Sequence, residues 1–557
     1  MISSLIIALV LVPLLRNNGD IPPYYACEGM VVSAHPMATE AGLYVLRAGG
    51  NAFDAAIATE FALAVVFPIA GNIGGGGFAV LHTETGEIIS LDYREQAPAA
   101  ATKQMYLDEK GTVVPELSTR GARAAGIPGT VAGMYALHQQ YGSIAWDSLL
   151  IPAIHYARFG WPLTEKEAAQ LHKFHAALAH ENKQASYLTR KAHYKTGEML
   201  VNPELARTLS YIAENGKNGF YDGPVADSLV ACMQQKGGLI TKKDLAAYQA
   251  IWRPTLSFTE GEYTFHSMGP PSSGGIILSQ LWQMTHQYPI QKWSRNDARS
   301  MQLIIEAERR AYADRATYLG DPAFVEIPVT GLTDPSYLRH RMKDFDWQMA
   351  SKSAEIGAGT PMPEPDQTTH YCVADGRGNL ITATTSLNGA YGSKLVVSGA
   401  GFLLNNTMDD FSIAPGIPNS YGLIGNEANA IAPGKRMLSS MTPTLVLKNN
   451  KPYLLTGTPG GSTIPTTVFQ VLLNVLVYNQ DMQSAVSQPR FHHQWMPDEV
   501  RFEKGSFNKQ QQHTLRDKNY KLIQVAPYGR AAGIRILPDG TLEGGADPRG
   551  DDAAGGF

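Results

Sequence analysis

Pro365-Asp366-Gln367-Thr368-Thr369-His370-Tyr371-Cys372-Val373-Ala374 runs from a loop into a strand, and a turn at Asp375-Gly376-Arg377-Gly378-Asn379 leads into a second strand, Leu380 to Leu387. Before this junction, Gly357 to Gln367 is rich in Gly and Pro without an apolar period, the composition of an exposed loop. After it, the β-branched and aromatic run from Thr369 predicts a hairpin. Cleavage of Gln367–Thr368 would give Thr368 a free amine. Its hydroxyl would then be a nucleophile, and the α-amine, with an ordinary pKa of about 7.7–8, would take the proton. Taken alone, the local text favours an ordinary entrance to a hairpin.

Outward from the junction, the pattern continues to specify elements. Ala38 to Arg47 predicts a helix stopped by Gly49-Gly50, and Phe53 to Val66 a second one ended by Pro68. The second is apolar on nearly every side and belongs in a core. Phe78 to His82 and Ile88 to Tyr93 predict a hairpin about Glu84-Thr85-Gly86. Trp146 to Asp321 reads as mainly helical, strands dominate after Thr368, and Thr463 to Tyr478 is a further apolar helix. Helices, paired strands and helices again predict antiparallel sheets covered by helices.

Composition narrows the class. Apolar residues make up 44% and charged residues 17%, which excludes a disordered chain and predicts a large core. A net charge of −4 without a long basic run argues against a nucleic-acid partner. Cys27, Cys232 and Cys372 are widely spaced, so neither a disulfide framework nor a CxxC metal site follows. His172, His175 and His180 share a helical stretch but lack zinc-site spacing, so a solvated helix face is expected and no metal. Gly74 to Ala79 formally satisfies G-x-G-x-x-A, yet a helix precedes it and a strand follows, the reverse of a dinucleotide site. The apolar run Leu5 to Leu15 is too short to span a bilayer and fits a signal-peptide core, although no basic residue precedes it. Residues 1–26 are therefore expected to be a leader or N-terminal extension, and the protein to be exported to a periplasm or beyond the cell.

Several further runs occur in one order along the chain. They are His35-Pro36-Met37-Ala38-Thr39-Glu40-Ala41-Gly42, Gly49-Gly50-Asn51-Ala52-Phe53-Asp54, Gly71-Asn72-Ile73-Gly74-Gly75-Gly76-Gly77-Phe78, Asp92-Tyr93-Arg94-Glu95 and Gly126-Ile127-Pro128-Gly129. Beyond Thr368 come Leu403-Leu404-Asn405-Asn406, Met408-Asp409-Asp410-Phe411, Leu438-Ser439-Ser440-Met441 and Thr458-Pro459-Gly460-Gly461-Ser462. From about Val31 to the C-terminus this series resembles the γ-glutamyltranspeptidase family.

The resemblance implies an α+β fold, the αββα sandwich of N-terminal-nucleophile hydrolases, with two stacked, mainly antiparallel sheets flanked by helices. It implies self-cleavage between Gln367 and Thr368, giving a large part, residues 27–367, and a small part, residues 368–557. Thr368 would attack the γ-amide of glutathione or another γ-glutamyl compound. The resulting ester would pass its γ-glutamyl group to water, an amino acid or a dipeptide, without a cofactor. Arg94 is implied to grip the substrate's α-carboxylate, for which a planar guanidinium fork is well suited. Its bland reading is a strand-end Arg paired with Asp92 or Glu95. Asp410 is implied to accept the α-ammonium, where locally it is only part of a turn-forming run.

Asn388 and Thr407 fall at positions of secondary polar contacts; Thr407 departs from the longer Gln or Glu usual there. Ser439 and Ser440 match a pair that helps hold the α-carboxylate. Gly460 and Gly461, before an apolar helix, can offer N–H groups as an oxyanion hole. Ser386 stands where the family has a second Thr supporting the nucleophile, and keeps the hydroxyl without the methyl. Pro415 to Ile431, with Tyr421, resembles a lid loop. Two other readings stay open: a related cephalosporin acylase acting on glutaryl groups, and a secreted, non-catalytic binding protein on the same fold.

Overall fold

The hairpin expected at the junction is formed: Thr369–Asp375 pairs antiparallel with Leu380–Ser386, Thr369 opposite Thr385. The computed structural model describes residues 21–183, 186–357, 369–413 and 427–557. Gln367, Thr368 and Tyr421 lie outside the described residues, as does the apolar run Leu5 to Leu15.

Among the described residues the hairpin sits inside a seven-stranded sheet in the order Ala553–Gly556, Gly29–Ser33, Thr369–Asp375, Leu380–Ser386, Gly76–His82, Ile88–Asp92, Ile251–Arg253. A second sheet of seven has the order Tyr24–Ala26, Leu542–Ala546, Ala532–Ile536, Lys451–Gly457, Thr444–Lys448, Tyr263–Ser267, Leu256–Glu260. Neighbouring strands are antiparallel in both. The period-2 alternation of side chains explains the layers. Cys372 and Ala374 join Val32, Val80, Leu445, Leu455 and Ile534 between the sheets. Tyr371 and Val373 point the other way, into the core shared with the helices Pro36–Arg47 and Ala52–Val66. The outer face of the second sheet packs on Gly274–His286, Ala298–Tyr318 and Ile464–Leu476. The architecture is the αββα sandwich.

The helix Ala52–Val66 is buried at every residue, as an all-apolar helix must be, and a capping box between Asn51 and Asp54 closes its first turn. The hairpin Gly76–His82 with Ile88–Asp92 also forms as read from the sequence. One reading needs correction. Within the stretch expected to be mainly helical, Ile251–Arg253, Leu256–Glu260 and Tyr263–Ser267 are strands, one ending the first sheet and two ending the second. Their aromatic and Thr content around the Glu260-Gly261-Glu262 turn overrides the helical flanks. Tyr24–Ala26, inside the expected leader, forms an edge strand paired with Leu542–Gly544. No helix among the described residues is long and apolar enough to cross a membrane.

Candidate active site

Arg94 follows the strand Ile88–Asp92, and its main chain is clamped before its side chain acts. Its N–H donates to Asp92 Oδ1 at 3.0 Å, while its carbonyl accepts from Tyr248 OH at 2.7 Å and Arg436 Nη1 at 2.5 Å. Asp92 does not take the Arg94 guanidinium. Its carboxylate holds Arg253 at 2.8 Å and Arg436 at 2.9 Å, leaving the Arg94 fork to face elsewhere. That fork pairs through Nη2 with Asp410 Oδ2, lies 3.7 Å from Glu95, and donates to the carbonyls of Met437 (3.4 Å) and Leu438 (3.3 Å).

Asp410 ends the single 3₁₀ turn Thr407–Asp410, and both members of the pair are almost wholly buried. Residues 316 positions apart thus bring a guanidinium and a carboxylate together out of water. Burial pushes the Asp410 carboxyl up to about 8, against the pull of Arg94 and with a further push from Asp409. Among the described residues Asp410 Oδ1 has no hydrogen-bond partner, so half of the carboxylate remains to be satisfied.

Asn405 explains how this corner is assembled. Its Nδ2 donates to the carbonyls of Gly74 and Gly126, each at 2.8 Å, and its Oδ1 accepts from Gly126 N at 2.8 Å. The same Oδ1 accepts from Thr407 N at 3.2 Å and Thr407 Oγ1 at 2.7 Å. One buried amide therefore ties the Gly-rich turn, the Gly126 loop and the Asp410 turn into a unit. The Thr407 hydroxyl is spent on that scaffold. Asn388, at a positive φ of 70°, donates through Nδ2 to Asn406 O at 3.1 Å, and its N–H donates to Ser386 Oγ at 2.7 Å. Ser439 donates its N–H to Pro271 O at 2.8 Å, and Ser440 Oγ accepts from Arg315 Nη2 at 3.1 Å.

The Gly460-Gly461 loop lies at the end of the strand Lys451–Gly457, which faces Thr369–Asp375 across the sandwich. The approach is close: a Cβ on Gly457 would sit 2.3 Å from His370 Cε1. Gly460 and Gly461 have φ of 141° and 56°, values that favour glycine, and Gly461–Thr463 then turns into the helix Ile464–Leu476. Among the described residues neither glycine N–H donates to a backbone carbonyl. Ser462 Oγ donates to Gln494 at 2.9 Å, and its carbonyl accepts from Tyr312 OH, which fixes the loop from behind. A cleft of about 570 Å³ has Pro459 and Gly460 in its wall, together with Tyr391, Lys166 and Arg530.

The structure therefore brings Arg94, Asp410, Thr407 and the Ser439 segment to one corner, with Asn388 and Ser386 linked to it by the hairpin end. Arg436, Tyr248, Asn405 and Arg315 are the supporting residues that sequence reading missed. Each acts through contacts across more than a hundred positions, for which local spacing carries no signal. His172 and His180 are exposed on the helix Glu165–Glu181, and no metal-binding group of His, Cys, Asp and Glu is found among the described residues. The Gly74–Gly77 run packs backbone against backbone: Gly75 O accepts from Gly129 N at 2.7 Å and Thr130 N at 3.1 Å.

Comparison with known proteins decides the family. The model of the gamma-glutamyltranspeptidase family matches residues 38–557. A glutathione hydrolase proenzyme of Escherichia coli (strain K12) is 43% identical over 539 residues, covering 96% of this chain and 93% of its own length. The chain belongs to the γ-glutamyltranspeptidase family. Among solved structures, a cephalosporin acylase from Bacillus halodurans shares the fold across 99% of both chains, with a TM-score of 0.86 and 28% identity. The γ-glutamyltranspeptidase of Helicobacter pylori is 41% identical, with a TM-score of 0.57, over 59% of this chain and 94% of that one.

Proposed function

We propose that the chain cuts itself before Thr368 and then acts as a γ-glutamyltransferase and glutathione hydrolase. The buried pair of Arg94 and Asp410 carries this reading. The α-carbon of a γ-glutamyl group bears one anion and one cation, and the pair presents the complement of both. Binding exchanges one internal ion pair for two ligand pairs, Arg94 with the carboxylate and Asp410 with the ammonium. With Asp410 ionised, the charge of the site stays balanced before and after. A glutaryl group lacks the ammonium and would leave Asp410 buried without a cation, a costly arrangement.

In the chemical step the Thr368 hydroxyl adds to the γ-carbonyl, and its proton passes to the α-amine. The oxyanion is taken by the N–H groups of Gly460 and Gly461. The tetrahedral centre collapses, the amine of cysteinylglycine leaves with that proton, and a γ-glutamyl ester remains on Thr368. Water or an acceptor amine then repeats the sequence in reverse. Thr369 pairs with Thr385, the residue before Ser386 at the end of its strand, which supports an orienting role for the Ser386 hydroxyl. Asn388 and the Ser439-Ser440 segment complete the polar lining. We also infer export, with any leader removed upstream of the edge strand Tyr24–Ala26.

The test is to give the purified, cleaved protein glutathione. Glutamate and cysteinylglycine appear in equal amounts in buffer, and a γ-glutamyl peptide forms when a dipeptide is added. Turnover of a glutaryl amide with none of glutathione would replace this reading by the acylase one. An intact, inert chain would leave the binding protein.

A further inference from the structure

Asn429 closes a ring of hydrogen bonds around the recognition pair. Its Nδ2 donates to the Asp410 carbonyl at 2.7 Å, and its Oδ1 accepts from Leu438 N at 3.1 Å. Leu438 O in turn accepts from Arg94 Nη2 at 3.3 Å, and Arg94 pairs with the Asp410 carboxylate. The circuit therefore runs Asn429, Asp410, Arg94, Leu438 and back to Asn429. Asn429 is 1% exposed, and its own carbonyl accepts from Ser412 N at 3.0 Å, so the main chain of Asn429 is pinned to the segment just past Asp410. A primary amide suits this position because it offers a donor and an acceptor in one plane, each directed at a different strand of chain.

We propose that Asn429 is a positioning residue for donor recognition, setting Asp410 and the Leu438–Ser440 segment at the spacing that fits the ammonium and carboxylate of one α-amino acid. Asp410 ends a 3₁₀ turn that Asn405 holds at its first residue, Thr407, so the Asp410 end of the turn relies on the Asn429 bond to its carbonyl. Arg94 is already fixed by Arg436, Tyr248 and two carbonyls, so the mobile partner is Asp410. Loss of the Asn429 amide releases that turn, while the main chain of Arg94 stays clamped by Arg436 and Tyr248. The consequence falls on the ammonium more than on the carboxylate.

The inference rests on the reading of Arg94 and Asp410 given above, and its test separates the two. The inhibition constants of glutamate and glutarate are measured on cleaved wild type, Asn429→Ala, Asn429→Ser, Asp410→Asn and the double variant Asn429→Ser/Asp410→Asn. The two ligands differ by one ammonium. The expected result is that Asn429→Ala and Asn429→Ser weaken glutamate at least tenfold while changing glutarate less than about threefold, and that the double variant is hardly worse than Asp410→Asn alone. Equal weakening of both ligands, full additivity in the double variant, or wild-type constants would overturn the proposal. So would failure of both Asn429 variants to fold and cleave, which would make the residue a folding determinant. If Asp410→Asn itself leaves the preference for glutamate unchanged, the underlying reading fails instead.

Discussion

Arg94 and Asp410 show how a side chain that reads as a strand-end residue is drawn into a buried long-range pair, the one proposed above to recognise the substrate. Of the two partners expected from proximity in sequence, Asp92 is taken by Arg253 and Arg436, while Glu95 lies 3.7 Å from the Arg94 fork, which also reaches Asp410. Arg94→Lys keeps a charge but loses the two-pronged geometry. Processing should proceed while kcat/KM for glutathione falls at least tenfold, equivalent to about 1.4 kcal/mol. An unchanged kcat/KM in a fully cleaved sample would return Arg94 to a structural role. Asp410→Asn should keep fold and cleavage and collapse the preference for γ-glutamyl over glutaryl anilides by roughly ten- to a hundredfold, the loss of one charged hydrogen bond of about 1.5–3 kcal/mol. The same carboxyl predicts a pH dependence. A raised acid is neutral below its pKa, so the ammonium lacks its anion in acid and gains it as pH rises through about 8. kcat/KM for a γ-glutamyl anilide should therefore climb more steeply between roughly pH 6 and 8 than that for a glutaryl anilide, and the difference should vanish in Asp410→Asn. Parallel profiles in the wild type would contradict the assignment.

At the scale of elements, the Gly460-Gly461 loop is placed by what lies behind it: the strand Lys451–Gly457 pressed on His370, the Ser462 contacts, and the helix Ile464–Leu476. Gly461 holds a φ of 56°, where a side chain costs about 1–2 kcal/mol, so Gly461→Ala should shift the N–H while sparing the core. The expected outcome is a fall in kcat of ten- to about a hundredfold with little change in the inhibition constant of glutamate. A wild-type kcat would remove the loop from the oxyanion role. The elements themselves were largely legible. The helices near Pro36 and Ala52, both hairpins and the helix at Ile464 follow from apolar period, caps and turn residues, within about two positions at their ends. The strands between Ile251 and Ser267 were not, because two long helical neighbours dominate their window and each strand is completed by a partner far away in sequence. The same reason hides Asn405, Arg436 and Asn429. Asn405 and Arg436 act through bonds to residues hundreds of positions distant, and Asn429 through bonds across 19 positions to Asp410 and 9 to Leu438, whereas Arg94 and Asp410 were found through motif resemblance rather than through any local physical sign.

On the scale of the whole molecule, the two parts of the chain are interleaved rather than joined at a seam. Gly29–Ser33 lies between Ala553–Gly556 and Thr369–Asp375, Gly76–His82 pairs with Leu380–Ser386, and Tyr263–Ser267 pairs with Thr444–Lys448. Breaking one peptide bond before Thr368 leaves these ladders and the shared core intact, so the fragments should co-purify in buffer and part only in denaturant. Thr368→Ala removes the hydroxyl that would attack the carbonyl of Gln367. The most direct measurement is a denaturing gel of purified wild type and Thr368→Ala, with the N-terminus of the smaller fragment sequenced. Self-cleavage predicts two fragments in the wild type, the smaller beginning at Thr368, and one inactive full-length chain in the variant. A variant cut at the same bond, or a wild-type fragment beginning at another residue, would contradict it.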